Sequence, residues 1–335
     1  MAKHKDVLFV LSVDTEEEWN WSGPFPEAQC SVANVHMLPV FQDHCRKLGI
    51  RPTYFTDYAV AANEQAADVL KSVLEPGDSE LGAHLHPWCN PPFYGPTLEF
   101  ESHVVNLPEE QVAAKLDALL VKLTTVFERQ PKSFRTGRWG VDEKTLRLLA
   151  SRGVDVDSSV YPFYKNDFFS CESSPLDAYW PEWQNPLNSG DQREILELPV
   201  SVGFSRKNFE LYEAIHKLIS RPPFSYFRLV GFFWHLKLFR KLYLSPELCN
   251  AKEMNALVDV LLKRDQPVLH MYLHSSSLID GVTGLVDAKG AISEICSRIQ
   301  KVVEHLGERA NLRFCTVSEA RDILQARNSN QGVLR

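Results

Sequence analysis

Residues 9–19 read FVLSVDTEEEW. Five apolar or small residues, Phe9 to Val13, run straight into Asp14, Glu16, Glu17 and Glu18. The first half has the composition of a strand buried on both faces. The second half sets ionised carboxylates at that strand's mouth, where mutual repulsion and desolvation both oppose them. A plain solvated strand end would explain the acids. So would a cation or a catalytic proton, and the rest of the chain decides between these readings.

Outward from that stretch, short apolar runs alternate with helix-like patterns. VLFVLSV (7–13), RPTYFT (51–56), ELGAHLHP (80–87), SFRTGRWG (133–140), VDVDSSV (154–160), ILELPVS (195–201), PVLHMYLHSS (267–276) and LRFCTVSEA (312–320) read as strands. Helical patterns fall at 33–49, 63–77, 108–129, 142–153, 246–264 and 291–308. Strands alternating with helices of ten to twenty residues predict parallel βαβ units. With no dinucleotide glycine pattern, the α/β chain is expected to form a barrel, complete or irregular.

In such barrels the chemistry gathers at the C-terminal strand ends. The first strand ends at Asp14 and Glu16, the third at His84 and His86, and the fourth at Arg135 and Arg138. The fifth ends at Asp157 and a late one at His274. These are metal ligands, acid–base groups and anion partners on one rim, which points to a site rather than to solvated ends. His84 and His86 are two apart, so on extended backbone their rings share a side. Two imidazoles and one carboxylate form the ligand set of a hydrolytic zinc centre. Of the two acids, one would bind the metal and the other act as general base. Arg135 would hold the free acid ionised, His274 would serve as general acid, and Asp157 would orient that histidine. Trp88, Trp139, Trp180 and Trp183 are candidates for stacking on sugar rings, and core packing is the competing reading for each.

The bulk numbers agree with an enzyme of this kind. The 335 residues are 44% hydrophobic and 24% charged, with a net charge of −7, which disfavours a nucleic-acid partner. The seven cysteines form no CxxC pair, as expected for reduced thiols in a cytoplasmic protein. The opening MAKHKDVLFVLSVD is basic and then apolar, but its apolar run stops at Asp14, so it reads as a strand and not as a leader.

In order along the chain, SVDTE, ELGAHLHPW, FRTGRWG, DVDSSVYP and VLHMYLHSSSL resemble the motifs of NodB-type polysaccharide deacetylases, carbohydrate esterase family 4. The resemblance spans roughly residues 5–325 and treats 1–335 as one domain of that type. It implies a distorted (β/α) barrel with about seven parallel strands, and metal-dependent hydrolysis of sugar N-acetyl groups. Carried over position by position, it makes Asp14 the base, Arg135 its orienting partner and His274 the acid. Glu16 and His84 become metal ligands. His86 stands in for a histidine that the family places four residues after the first, where this chain has Trp88. Trp88, Trp139 and Arg138 are then expected to contact substrate, and a divalent metal, zinc by preference, is the expected cofactor. The expected substrate is an N-acetylated saccharide or its nucleotide- or lipid-linked precursor in surface-polysaccharide biosynthesis. Deformylation of a lipid-linked sugar, and an inactive saccharide-binding relative, remain open alternatives.

One segment stands apart. Residues 221–244, RPPFSYFRLVGFFWHLKLFRKLYL, crowd aromatics against Arg228, His235, Lys237, Arg240 and Lys241. They belong to a helical insertion expected at about 205–245. It either packs over the barrel with snorkelling cations or touches a membrane surface from the cytoplasmic side.

Overall fold

A computed structural model describes residues 4–20, 23–27, 30–219, 240–286 and 289–332. In chain order the elements are β1 (Lys5–Thr15), α1 (Leu38–Lys47), β2 (Thr53–Thr56), α2 (Tyr58–Ala62), α3 (Glu64–Leu74), β3 (Glu80–Leu85), α4 (Glu109–Phe127), β4 (Ser133–Thr136), α5 (Glu143–Ser151), β5 (Val156–Asp157) and β6 (Leu196–Glu197). There follow β7 (Val202–Phe204), α6 (Phe209–Ile219), β8 (Lys241–Tyr243), α7 (Ala251–Lys263), β9 (Val268–His274), α8 (Ala291–Gly307), β10 (Ala310–Phe314) and α9 (Val317–Gly332).

Eight strands join in one sheet, and every pairing in it is parallel. Seven of them, in the order β9-β1-β2-β3-β4-β5-β6, curl into a half-barrel. The eighth, β10, flanks only the lower half of β1, pairing Lys5–Phe9, whereas β2 takes up Ser12–Thr15. Between β6 and β9 the curl is bridged irregularly: the Ser201 amide donates to the His270 carbonyl, and the Tyr272 amide to that of Leu244. This is the distorted α/β barrel that the motifs imply.

Strand β1 carries two kinds of surface. Phe9, Leu11 and Val13 face outward into the layer packed by the helices, while Leu8 and Val10 face inward onto Phe55 and Val156. The inward row continues upward through Ser12 and Asp14, so one strand face passes from apolar to ionised as it nears the rim. Helix starts are capped as their sequences require. Asp57, Asn63, Asp142 and Asn250 each accept a backbone N–H at the first turn of α2, α3, α5 and α7.

Three boundaries differ from expectation. The 154–160 segment pairs over Val156–Asp157 alone, because Ser158 to Val160 already turn toward the rim. The 312–320 segment is a strand only to Phe314, and Val317 opens α9. The insertion begins as the helix α6 and is flanked by an antiparallel pair, β7 with β8. Most of the aromatic, basic stretch, 220–239, lies outside the described residues, and with it the membrane-contact expectation. Among the described residues no helix is long and apolar enough to cross a membrane.

Candidate active site

The register of the sheet brings the site together. Asp14 on β1 pairs with His274 on β9, and His84 on β3 with Arg135 on β4. Side chains 51 and 260 positions apart thus share one level of the barrel mouth.

Arg135 is fully buried. Its Nη1 donates to Asp14 Oδ1 at 2.6 Å, its Nε to the Ser158 carbonyl at 2.9 Å and its Nη2 to Ser158 Oγ at 2.9 Å. Its plane lies over the Phe55 ring, 4.4 Å from the centroid. A buried guanidinium held by four contacts fixes the carboxylate it pairs with. The other Asp14 oxygen, Oδ2, faces His274 Nε2 at 3.9 Å.

His274 is oriented from behind by Glu247. Its Nδ1 lies 2.7 Å from Glu247 Oε1, and its backbone N–H donates to Glu247 Oε2 at 3.1 Å. This corrects the expectation for Asp157, which lies elsewhere, accepting the Ser159 hydroxyl at 2.5 Å. Burial alone would lower the His274 pKa. The charges of Glu247, Glu16 and Asp14, with the Glu247 hydrogen bond, outweigh burial and raise it to about 10. Glu247 escapes sequence reasoning because PELCNAKE reads as an ordinary helix start with an acid in its first turn.

Glu16, His84 and His86 converge, each buried, with ligand atoms within 4.8 Å of one another. Glu16 Oε2 lies 3.1 Å from His84 Nε2 and 3.2 Å from His86 Nε2. The back of each ring is already committed: His84 Nδ1 sits 3.1 Å from the Arg135 carbonyl, and His86 Nδ1 2.9 Å from Glu17 Oε2. With those Nδ1–H groups donating, both Nε2 atoms present lone pairs to a carboxylate. Three acceptors turned on one point need a cation or a proton between them, and this donor set fits a divalent metal. Burial opposes charge on His86, yet Glu17 and Glu16 push its pKa well above the usual imidazole range. Burial likewise opposes ionisation of Glu16, but the charges of His274 and His86 and the two imidazole hydrogen bonds hold it well below the usual range.

Behind His86 stands a support that the sequence did not announce. Glu17 also receives the Trp88 indole N–H and, at 3.6 Å, the Cys89 thiol. Glu17, Asp57, His86 and Cys89 form a second group of close potential ligands. Asp57 is engaged there already, since Oδ1 caps α2 through the Val60 N–H at 2.7 Å and Oδ2 accepts the Glu17 N–H at 3.2 Å. The group therefore acts as the outer brace of His86. Trp88 itself is fully buried and stacks on His86 with centroids 4.2 Å apart, so it braces that ring and, contrary to the expectation of a substrate contact, has no exposed face for a sugar.

Loop 136–140 explains FRTGRWG. A Cβ on Gly137 would fall 1.8 Å from His86 Cδ2, so the backbone approaches that ring as only glycine allows. Trp139 follows in the left-handed region at φ 61°, a conformation that non-glycine residues rarely hold outside functional sites.

Part of this site opens on a cleft of about 420 Å³. Glu16 and His274 line it, and Trp19, Trp139, Tyr161, Tyr164 and Tyr243 add aromatic walls. Trp139 and Arg138 also line the cleft. Arg138 is also tied to Glu99 Oε2 at 2.9 Å and to Ser102 Oγ at 2.9 Å. Trp180 and Trp183 do not line this cleft. They pack against Arg193 and Arg147 respectively.

At the mouth of this parallel half-barrel stand a three-residue cluster that could hold a metal ion, an arginine-held aspartate and a carboxylate-held histidine. Comparison with solved structures finds the same fold in two proteins assigned as deacetylases. A protein from Mycobacterium smegmatis assigned as a polysaccharide deacetylase superposes with a TM-score of 0.58 at 13% identity, covering 98% of this chain and 93% of that one. A protein from Parabacteroides distasonis assigned as a glycoside hydrolase/deacetylase superposes with a TM-score of 0.62 at 11% identity, covering 97% and 72%. No family model matches the sequence, and neither does any curated protein. At these identities the likeness is one of fold.

Proposed function

We propose that the protein is a hydrolase that removes an N-acetyl group from a saccharide, or from a nucleotide- or lipid-linked precursor of a surface polysaccharide. The observation that carries this reading is the convergence of Glu16, His84 and His86 beside the Asp14–Arg135 and His274–Glu247 pairs, with Glu16 and His274 reaching one aromatic cleft. Glu16, His84 and His86 would hold a divalent metal, zinc by its ligand preference. Such a cation polarises an amide carbonyl and stabilises the charge that develops on its oxygen. Asp14, aimed by Arg135, takes a proton from the water that attacks the acetamide carbon. When the C–N bond breaks, His274 delivers its proton to the departing nitrogen, releasing acetate and a free amine. Glu247 keeps that proton on the imidazole until then. The aromatic walls receive the sugar ring face-on.

The test is acetate release from N-acetylated oligosaccharides and nucleotide sugars, comparing wild type with Asp14→Asn. Loss of about 10²–10⁴-fold in kcat is expected for the variant. Equal turnover by the two would remove Asp14 from the mechanism.

A further inference from the structure

Two buried acids take no part in the chemistry above. Asp157 ends β5 and Glu197 ends β6, and the two are register partners on neighbouring parallel strands, so their side chains project to the same side. Both are fully buried. One oxygen of each is engaged: Asp157 Oδ1 accepts the Ser159 hydroxyl at 2.5 Å, and Glu197 Oε1 accepts the Val160 N–H at 3.0 Å. The other oxygens, Asp157 Oδ2 and Glu197 Oε2, are shut off from solvent with no donor from any other group. Two ionised carboxylates do not persist side by side in such surroundings, whereas one proton between the idle oxygens satisfies both.

The residues this pair holds lead directly to the site. Ser159 Oγ, fixed by Asp157, accepts the Thr136 N–H at 2.9 Å. Val160 is fixed by Glu197. Between them, Ser158 seats Arg135 through its carbonyl and its hydroxyl, and that hydroxyl is itself anchored on the Leu198 carbonyl at 2.8 Å.

We propose that Asp157 and Glu197 share a single proton and act as a positioning pair for Arg135, and through it for Asp14. The kinetic part of this proposal rests on the hydrolase reading; the shared proton and its hold on Arg135 do not. Burial raises the Asp157 pKa to about 6 and that of Glu197 well above the usual carboxylate range, so the two give up their protons in separate steps. The groups facing it are few. Arg135 from β4 favours ionisation of Asp157. Cys171 and Tyr179 face it from the segment between β5 and β6, and burial raises both beyond the working range. His270 on β9, next to Arg135, is held neutral by burial and by that cation. Through the rise from acid to alkaline pH the pair is therefore the titrating unit in this part of the core. Losing its proton sets two charges against each other, and the Ser158–Val160 turn that seats Arg135 gives way.

The experiment reads the proton and the arginine without substrate, and turnover beside them. Infrared difference spectra across that pH range are expected to show a protonated carboxylic acid band that disappears in Asp157→Asn and Glu197→Gln. The ¹H–¹⁵N signal of Arg135 Nε, assigned through Arg135→Lys, is expected to shift with the same midpoint as that band. In Glu197→Gln, where an amide N–H replaces the proton, the shift is abolished; in Glu197→Ala the signal moves or broadens at every pH. For turnover, Glu197→Ala is expected to lose about tenfold or more in kcat with KM within about twofold, while Glu197→Gln keeps kcat level until His274 itself loses its proton. Absence of the acid band, or an Arg135 signal blind to both Glu197 variants, overturns the proposal. A lower Tm with an unchanged arginine signal would make the pair merely structural. With band and coupling present but no substrate turned over, the pair stands and the hydrolase reading fails.

Discussion

Glu247 and Trp88 act through other residues at the candidate site, and each yields a distinct measurement. The folded-state pKa of His274, about 10, lies above its ordinary 6.5, so the stabilisation given by its carboxylate partners is complete below about 6.5 and is lost as pH rises through about 10. Glu247→Gln keeps an acceptor but removes the charge. Its loss of stability, about 1–3 kcal/mol, is therefore expected to be largest near pH 6 and to shrink toward pH 10, as thermal denaturation across that range would show. The same variant moves the alkaline limb of kcat downward, because an imidazolium without its counter-charge gives up its proton at lower pH. Trp88→Phe separates bracing from sugar binding. The phenyl ring still fills the space against His86 but cannot donate to Glu17. Metal affinity, read by competition with a chelator, is expected to fall about 10–100-fold, with saccharide binding by the metal-free protein unchanged. Weaker sugar binding at constant metal affinity would return Trp88 to the substrate role that its position in ELGAHLHPW first implied.

Among the elements, the loop after β4 makes the sharpest demand on sequence. Gly137→Ala would press a methyl group into the His86 ring, and the ring must turn away from Glu16 or the loop must lift. A stability loss of about 1–3 kcal/mol is expected, with metal affinity falling by more than that strain alone explains. Calorimetry and metal titration on the same sample separate the two effects. The element scale also shows what was legible in the chain. Strands β1 and β9 announce themselves by their apolar runs, and α4, α7 and α8 by helical spacing between clear caps or breaks, whereas the start of α9 reads as the end of a strand. The rim residues follow from the rule that parallel strands deliver chemistry at their C-terminal ends. The second partner in each pair was not legible. Glu247 reaches His274 across 27 positions and Glu17 reaches His86 across 69, and nothing in local composition distinguishes a bracing acid from a capping one. Strand β6 was visible as ILELPVS, but a Glu197 that keeps its proton cannot be told from an ionised one until its neighbour across the sheet is known.

For the whole molecule, the proposed cation sits where the sheet has most to gain. Glu16 follows β1, and His84 and His86 belong to β3 and its end, so the cluster ties together two strands that flank β2. The barrel is well knit on the β10-β1-β2 side and sparsely paired at β5 and β6, which contribute two residues each. A ligand that binds only the folded state adds RT ln(1 + [L]/Kd), about 2.7 kcal/mol at a hundredfold excess over Kd. Adding zinc to chelator-treated protein is thus expected to raise Tm by a few degrees, and His84→Ala or Glu16→Ala to abolish the rise. Asp14→Asn discriminates further. Asp14 is bound to Arg135 and is not one of the three converging ligands, so the zinc-induced rise in Tm is expected to survive in that variant while turnover does not. If the rise persisted in His84→Ala and vanished in Asp14→Asn, the metal would lie on the aspartate side of the cleft, and the roles of base and ligand assigned to Asp14 and Glu16 would have to be exchanged.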